Sequence, residues 1–295
     1  MLATLVREPF DRPGWVYEEK YDGFRILAYK EGPRVTLLSR NQKNRTATFA
    51  AIAEAVGKLS ARTLLLDGEV VAFDRRGVSR FQLLQTLGSE PKYAAFDCLY
   101  VNGRDLRKGP LSARRAELEQ AIPRSGRIIL SARLSDHGLK AYEAAKRKGL
   151  EGVVAKNASA PYWEGRSRDW LKFKVRQEDE FVIVGFTAPK RSRLHFGALL
   201  LAAQAQGTLR YVGKVGTGFD RARLAELHRK FQPLVRAKPA VTDPPRQRDV
   251  TWVAPRLVAQ ISYEELTSDR KLRQPVFLGL RDDKSSREVN IPEAR

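Results

Sequence analysis

Apolar and polar residues alternate from Trp15 to Tyr29 on either side of Lys20, and the same pattern continues from Arg34 to Leu38. A half-buried strand has this period of two, because successive side chains point to opposite faces. The stretch therefore predicts strands joined at Glu31-Gly32-Pro33. Phe49, Ile52, Ala53 and Val56 then recur at the spacing of one helix face. Strand-like runs return at Leu64 to Phe73, Tyr93 to Val101 and Gly152 to Ala155, separated by helical patterns near Leu111 to Ala121 and Gly138 to Lys148. Strands and helices intermix without a regular βαβ repeat, which predicts an α+β sheet domain rather than a doubly wound parallel one.

The character changes after Lys174. Phe181 to Phe186, Ala198 to Ala203 and Leu209 to Val215 read as short strands, with one helical stretch at Arg221 to Phe231. Short strands with one helix predict a small barrel of the five-stranded oligonucleotide-binding (OB) type, whose curved face holds nucleic acid. The boundary is expected near Gln177-Glu178-Asp179, giving domains over 1–178 and 179–295. The proline-rich Pro233 to Pro245 stretch reads as a connection inside the second domain. A chain of 295 residues also exceeds the comfortable size of one core.

Charge narrows the function. Lys and Arg number 54 against 34 Asp and Glu, a formal net charge of +20. Such an excess attracts polyanions, and nucleic acid is the expected partner. With no amphipathic basic helix and no long apolar stretch, membrane association is not expected. The apolar opening Met1 to Val6 stops at Arg7-Glu8-Pro9, too short for a secretory signal, so a cytoplasmic, nucleoid-associated location is expected. One cysteine, Cys98, and three scattered histidines offer neither an internal disulfide nor a Cys/His metal cluster. Any metal must be a hard ion held by carboxylates and phosphates, and Mg²⁺ fits.

The candidate chemistry centres on Glu18-Glu19-Lys20-Tyr21-Asp22-Gly23-Phe24-Arg25. A lysine becomes a nucleophile only when neighbours or desolvation favour the neutral amine. Arg25 and a bound metal act in that direction; Glu18, Glu19 and Asp22 oppose it unless metal or ligand occupies them. Taken alone, the octapeptide is equally a turn between strands with a solvated charge cluster. No Gly-x-x-x-x-Gly-Lys-Ser/Thr is present, so a nucleoside triphosphate is not cradled by a P-loop. Gly213-Lys214-Val215-Gly216-Thr217-Gly218 has the wrong spacing for one and reads as a hairpin, either a plain turn or one that lets Lys214 approach DNA.

Downstream, Ser39-Arg40-Asn41, Asp67-Gly68-Glu69, Phe96-Asp97, Glu151-Gly152-Val153-Val154-Ala155-Lys156, Lys172-Phe173-Lys174 and Arg281-Asp282-Asp283-Lys284 follow in order. With Lys20-x-Asp22-Gly23-x-Arg25 they resemble the covalent nucleotidyltransferase superfamily and, within it, the ATP-dependent DNA ligases. Pro275-Val276-Phe277-Leu278-Gly279-Leu280 before Arg281 adds a resemblance to the bacterial end-joining, Ku-associated ligases. The resemblance implies an adenylation domain of antiparallel sheets with helices followed by an OB-fold barrel. It implies a monomer that joins 3′-hydroxyl and 5′-phosphate ends of duplex DNA in repair or recombination, through a lysyl-AMP formed from ATP with Mg²⁺ or Mn²⁺.

By the same resemblance Lys20 is the nucleophile, Glu18 reads the adenine edge, Phe96 stacks on the base and Glu69 holds the ribose. Arg25, Arg40 and Arg166 contact ribose or phosphate, and Lys172 and Lys174 the α-phosphate. Glu151 is the metal ligand, with Asp22 as a second. Outside that resemblance, Lys172 and Lys174 read as an exposed edge pair and Phe96 as core, and a solvated glutamate at a strand start is the alternative for Glu151. Arg281 and Lys284 are assigned to pyrophosphate, which requires the barrel to close over the nucleotide and reopen for DNA. Arg281→Ala is then expected to stop enzyme adenylylation, measured with labelled ATP, and to spare sealing of a pre-adenylated nick. Equal loss of both steps contradicts the closure. Starting about twenty residues before the nucleophile, the chain is expected to lack an extra amino-terminal DNA-binding domain, and Lys190, Arg191 and Arg193 are expected to help grip DNA. A Ku-type end-binding partner is implied, and polymerase or nuclease modules are not expected. RNA ligase, GTP-dependent capping-type nucleotidyltransferase and a catalytically silent nucleic-acid-binding module are the alternatives.

Overall fold

The apolar opening of the chain is a strand, β1 (Leu2–Leu5), in a computed structural model that describes residues 1–6, 8–85, 88–122, 126–175, 177–189, 194–247 and 249–292. Two units, Met1–Arg176 and Gln177–Arg295, each enclose a core. In the first, β1 is followed by β2 (Trp15–Lys20), β3 (Phe24–Glu31), β4 (Arg34–Ser39), α1 (Ala50–Gly57), β5 (Thr63–Val71), β6 (Lys92–Val101) and β7 (Arg104–Asp105). Then come α2 (Leu111–Ala121), β8 (Ile128–Leu130), β9 (Arg133–Ser135), α3 (Gly138–Lys148), β10 (Gly152–Asn157) and β11 (Arg166–Lys174).

These strands form two sheets, one in the order β1-β11-β10-β2-β9 and the other β4-β3-β5-β6-β7 with β8 beside β6. Pairing is antiparallel except for β1 with β11 and β6 with β8. The alternation around Lys20 thus feeds two sheets: β2 ends at the lysine and β3 starts the second sheet four residues later. In the first sheet Tyr17, Val153, Ala155, Leu171 and Phe173 face a core shared with Ala141 and Ala145 of α3. The second sheet buries Ile26, Ala28, Leu64, Leu66 and Ala95 against Ile52 and Val56 of α1 and Leu118 of α2. Each sheet therefore seals one face with apolar side chains and leaves the other for polar ones.

The second unit contains β12 (Glu178–Thr187), β13 (Leu199–Ala205), β14 (Thr208–Val215), α4 (Arg221–Phe231), β15 (Val235–Arg236), β16 (Val250–Val253), β17 (Val258–Ser262) and β18 (Val276–Leu280). The long β12 pairs with β13 on one edge and with both β16 and β17 on the other. The run β14-β13-β12-β17-β18 is closed by a parallel bridge between Thr217 and Val276, with Phe277 N–H donating to Thr217 O at 3.0 Å. It is the expected five-stranded OB barrel, extended by β16 and β15. Asp220 caps α4, accepting Arg223 N–H at 2.7 Å, and the helix sends Leu224, Leu227 and Phe231 into the barrel core.

One local expectation is overturned. The stretch from Gly213 to Gly218 is not a hairpin: it finishes β14 and leads to α4, while the turn between β13 and β14 is Gln206-Gly207, both at positive φ. Alternation through Gly213-Lys214-Val215 continues the strand, and closing the barrel uses the rest. Lys214 is exposed and donates to Gln247 Oε1 at 3.1 Å. Lys190, Arg191 and Arg193 lie outside the described residues. Among the described residues no helix is long and apolar enough to cross a membrane.

Candidate active site

Strand register assembles the site. Across β2, β10 and β11, Lys20 pairs with Gly152 and Gly152 with Lys174; Glu18 pairs with Val154 and Val154 with Lys172; Val16 pairs with Lys156 and Lys156 with Trp170. Paired residues share a face, so these three rows place Lys20, Glu18, Lys156, Trp170, Lys172 and Lys174 opposite the apolar face. The alternate spacing of Lys172 and Lys174 gives both lysines that face, and Phe173 between them is buried in the core.

Lys20 ends β2 in an ion pair with Glu151, and their side chains are only 17% and 8% exposed. Burial disfavours the Lys20 ammonium, but the Glu151 carboxylate against it, with Asp22 and Glu69 nearby, holds its pKa above the ordinary lysine range. The glycines of the two motifs are steric requirements. A Cβ on Gly152 would lie 2.3 Å from Phe173 O, and one on Gly23 2.1 Å from Val70 O. No side chain fits at Gly152 in the row between Lys20 and Lys174, which keeps that surface open to a ligand.

The second sheet supplies the other wall. Arg25 grips Asp67 with two hydrogen bonds, Nε to Oδ1 at 2.9 Å and Nη2 to Oδ2 at 2.6 Å, and Tyr162 OH donates to Asp67 Oδ2 at 2.8 Å. Glu69 is the cross-strand partner of Arg25. In the pairing of β5 with β6, Asp67 faces Asp97 and Gly68 faces Ala95, so Phe96 is the extra residue of a bulge. A bulge re-aims its side chain, and Phe96 meets Trp170 edge-on with centroids 5.7 Å apart. Lys156 Nζ lies 4.4 Å from both ring centroids and donates to Glu18 Oε2 at 2.7 Å.

Other expected residues are placed less directly. Asp22 Oδ2 accepts Phe81 N–H at 3.0 Å, so part of its carboxylate anchors the neighbouring segment. Arg40 is exposed in the turn after β4. Arg166 is exposed at the far end of β11 from the lysine pair, its Nη1 donating to Ala3 O at 2.7 Å. In the second unit, Arg281 is held by Asp283 through two bonds of 2.8 Å and by Gln260 at 2.8 Å, and Lys284 lies 3.3 Å from Glu180. Among the described residues no three His, Cys, Asp or Glu side chains gather as metal ligands. Glu151 nonetheless supplies a hard oxygen donor at the lysine, and Mg²⁺ is commonly held by one or two carboxylates with the rest of its shell from phosphate and water.

Glu19 points the other way. Alternation sends it toward the packed face beside Val153, where its Oε1 is buried without a hydrogen-bond partner. Burial pushes its carboxyl up to about 7, with Lys148 opposing. The folded state therefore holds a proton that the unfolded state has released between roughly pH 4.5 and 7. Stability falls across that window by on the order of 2–3 kcal/mol and is flat above it. Glu19→Gln is expected to remove this slope in urea melts at pH 5 and pH 8; an unchanged slope contradicts the assignment.

Several residues of this site escape sequence reasoning. Arg114, on α2, is 1% exposed and grips Asp97 at 2.7 and 2.9 Å while donating to Gly109 O and Ala160 O. Arg115 approaches Glu18 Oε1 at 3.4 Å. Tyr162 and Trp170 complete the list, while Asp67 and Lys156 stood in the ordered motifs without an assigned role. For Lys156 a signal was present: it lies two and four residues beyond Val154 and Gly152 on one strand, hence on the same face.

Comparisons with known proteins address the family of the chain. Residues 1–174 match the ATP dependent DNA ligase domain, and residues 192–284 the ATP dependent DNA ligase C terminal region. The multifunctional non-homologous end joining protein LigD of Pseudomonas aeruginosa is 40% identical over 98% of this chain, which spans 36% of that protein. A DNA ligase of Thermococcus fumicolans is 33% identical over 94% of this chain and is covered over 53% of its own length. The chain thus corresponds to about a third to a half of these relatives. The solved structure of mycobacterial DNA ligase D complexed with ATP and MES superposes with a TM-score of 0.73 at 31% identity, covering 99% of this chain and 98% of that one. Matched by family models across most of its length, the chain belongs to the ATP-dependent DNA ligase family.

Proposed function

We propose that this chain seals 3′-hydroxyl/5′-phosphate breaks in duplex DNA through a covalent lysyl-AMP. Lys20 gives up its ammonium proton to solvent as ATP binds, and the neutral Nζ attacks the α-phosphorus, forming a P–N bond as the bond to pyrophosphate breaks. The adenylate passes to the 5′-phosphate at the break; the 3′-hydroxyl then attacks that phosphate and AMP leaves. Splitting the condensation lets each step be a phosphoryl-centre displacement, where positioning and charge neutralisation do most of the catalysis.

The sheet face with Lys20, Lys172 and Lys174 is the observation that carries this reading. Three cations on one face, with an open glycine between two of them, fit a phosphate whose charge rises in the transition state. Lys172 and Lys174 contact the α-phosphate, Glu18 reads the adenine edge, Phe96 stacks on the base and Glu69 holds the ribose. Arg25, Arg40 and Arg166 serve ribose or phosphate, and Arg281 and Lys284 of the second unit serve pyrophosphate. Glu151, with Asp22 nearby, would hold Mg²⁺ or Mn²⁺. When bound, the ion neutralises phosphate charge and the carboxylate field around Lys20. Glu151 has a second task in the free enzyme, storing the Lys20 proton in an ion pair until substrate arrives. The +20 charge favours the DNA backbone without reading its sequence. A Ku-type end-binding protein is the proposed partner in end joining.

The test is one gel: α-labelled ATP and nicked duplex DNA with the wild type. A labelled protein band and a sealed strand are expected. A band with GTP alone, or preference for nicked RNA, contradicts the proposal.

A further inference from the structure

Glu18 is 4% exposed and does not stand alone. Its Oε2 accepts from Lys156 Nζ at 2.7 Å, and Arg115 Nη1 approaches its Oε1 at 3.4 Å. Arg115 is fixed in turn by Ser131 O at 2.9 Å and Glu119 at 3.0 Å. Lys156 is 2% exposed, with its ammonium against the faces of Phe96 and Trp170. A buried ammonium needs such partners, since it has given up its water. Burial lowers the proton affinity of Lys156, and the Glu18 carboxylate against it opposes that.

We infer that Lys156 and Arg115 are positioning residues for base selection, holding Glu18 in one orientation as a charged hydrogen-bond acceptor. The inference rests on the proposed reading of Glu18. An ionised carboxylate offers about four acceptor sites, and the two cations take one on each oxygen. What remains can accept from an amino group and cannot donate. A purine with a 6-amino group is bound, and one with a 6-carbonyl meets two acceptors face to face. Without Lys156 the carboxylate loses the hydrogen bond that fixes its orientation and is free to rotate, so the distinction weakens. The phosphates sit elsewhere, along the Lys20–Lys174 row, so the effect belongs to nucleotide binding and not to the chemical step.

The experiment measures lysyl-nucleotide formation with α-labelled ATP and GTP by the full chain, comparing wild type, Lys156→Met, Lys156→Arg and Arg115→Gln. Lys156→Met is expected to raise KM for ATP roughly tenfold to hundredfold with little change in the maximal rate, the pattern of a lost hydrogen bond to a charged group in uniform binding. The preference for ATP over GTP narrows by about tenfold or more. Lys156→Arg restores most of both, and Arg115→Gln shifts both in the same direction by less. A folded Lys156→Met protein that keeps its KM and preference overturns the inference, as does one that loses only maximal rate. Should Lys156→Met fail to fold, Arg115→Gln decides, and an unchanged preference there overturns it. Absence of any adduct from the wild type with either nucleotide would instead refute the ligase reading.

Discussion

Lys20→Ala is expected to abolish the covalent adenylate and, with it, sealing from ATP, a loss of roughly 10⁴-fold or more. No neighbour can substitute. Lys174 shares the row, but it is two strands away, about 10 Å at ordinary sheet spacing, whereas in-line attack needs approach to about 3–3.5 Å. Lys156 is turned into its contact with Glu18. The last step uses the DNA hydroxyl as nucleophile, so Lys20→Ala should retain far more activity on a nick supplied already adenylated. Removing Lys20 also leaves Glu151 buried without its ion-pair partner, so a melting curve should accompany the assay. Adduct formation by folded Lys20→Ala at anything near the wild-type rate would contradict the assignment.

Arg114→Met is expected to destabilise the first unit by about 3–5 kcal/mol, although Arg114 is not expected to touch substrate. The change keeps much of the side-chain volume but removes the guanidinium that grips a fully buried carboxylate. Asp97 is 0% exposed; burial already pushes its carboxyl up, and Arg114 works against that. Gly109 O and Ala160 O also lose a donor. Combining it with Asp97→Leu should recover most of the loss, because an apolar pair of suitable size often replaces a buried ion pair at little cost. Denaturant melts of the two variants check this; a single-variant loss under about 1 kcal/mol would show that the clamp is dispensable. Asp97 directly follows the bulged Phe96, so the clamp also ties α2 to the aromatic wall of the site.

What could be read from the sequence follows from which interactions are local. The α2, α3 and α4 patterns lie at consecutive helical spacing, and the observed helices have the expected limits. The strands flanking Lys20 were legible because each seals one face, which forces alternation. β1 was not: four residues cannot show a period, and its pairing partner β11 lies more than 160 residues away. The short β8 and β9, and the late β16, β17 and β18, escaped for the same reason. The barrel architecture was expected from fewer strands than close it.

Within the site, Lys172 and Lys174 were readable as a pair because their alternate spacing on one strand gives a shared face, and Lys20 was singled out by its motif. Phe96 was singled out by its motif, but the bulge that aims it depends on the register with β5. Arg114 was hidden, and Lys156 stood in one of the ordered motifs without its contact being legible. A charged residue on a helix or strand ordinarily signals the solvated side, and only tertiary packing turns these two inward onto Asp97 and Glu18.

The central claim is a bond between one amine and one phosphorus. Peptide mass spectrometry of the protein after incubation with ATP and Mg²⁺ tests it most directly. The account predicts an added adenylate on the peptide containing Lys20, released by pyrophosphate or by nicked DNA. No added mass, or an adenylate on a different lysine, would contradict it.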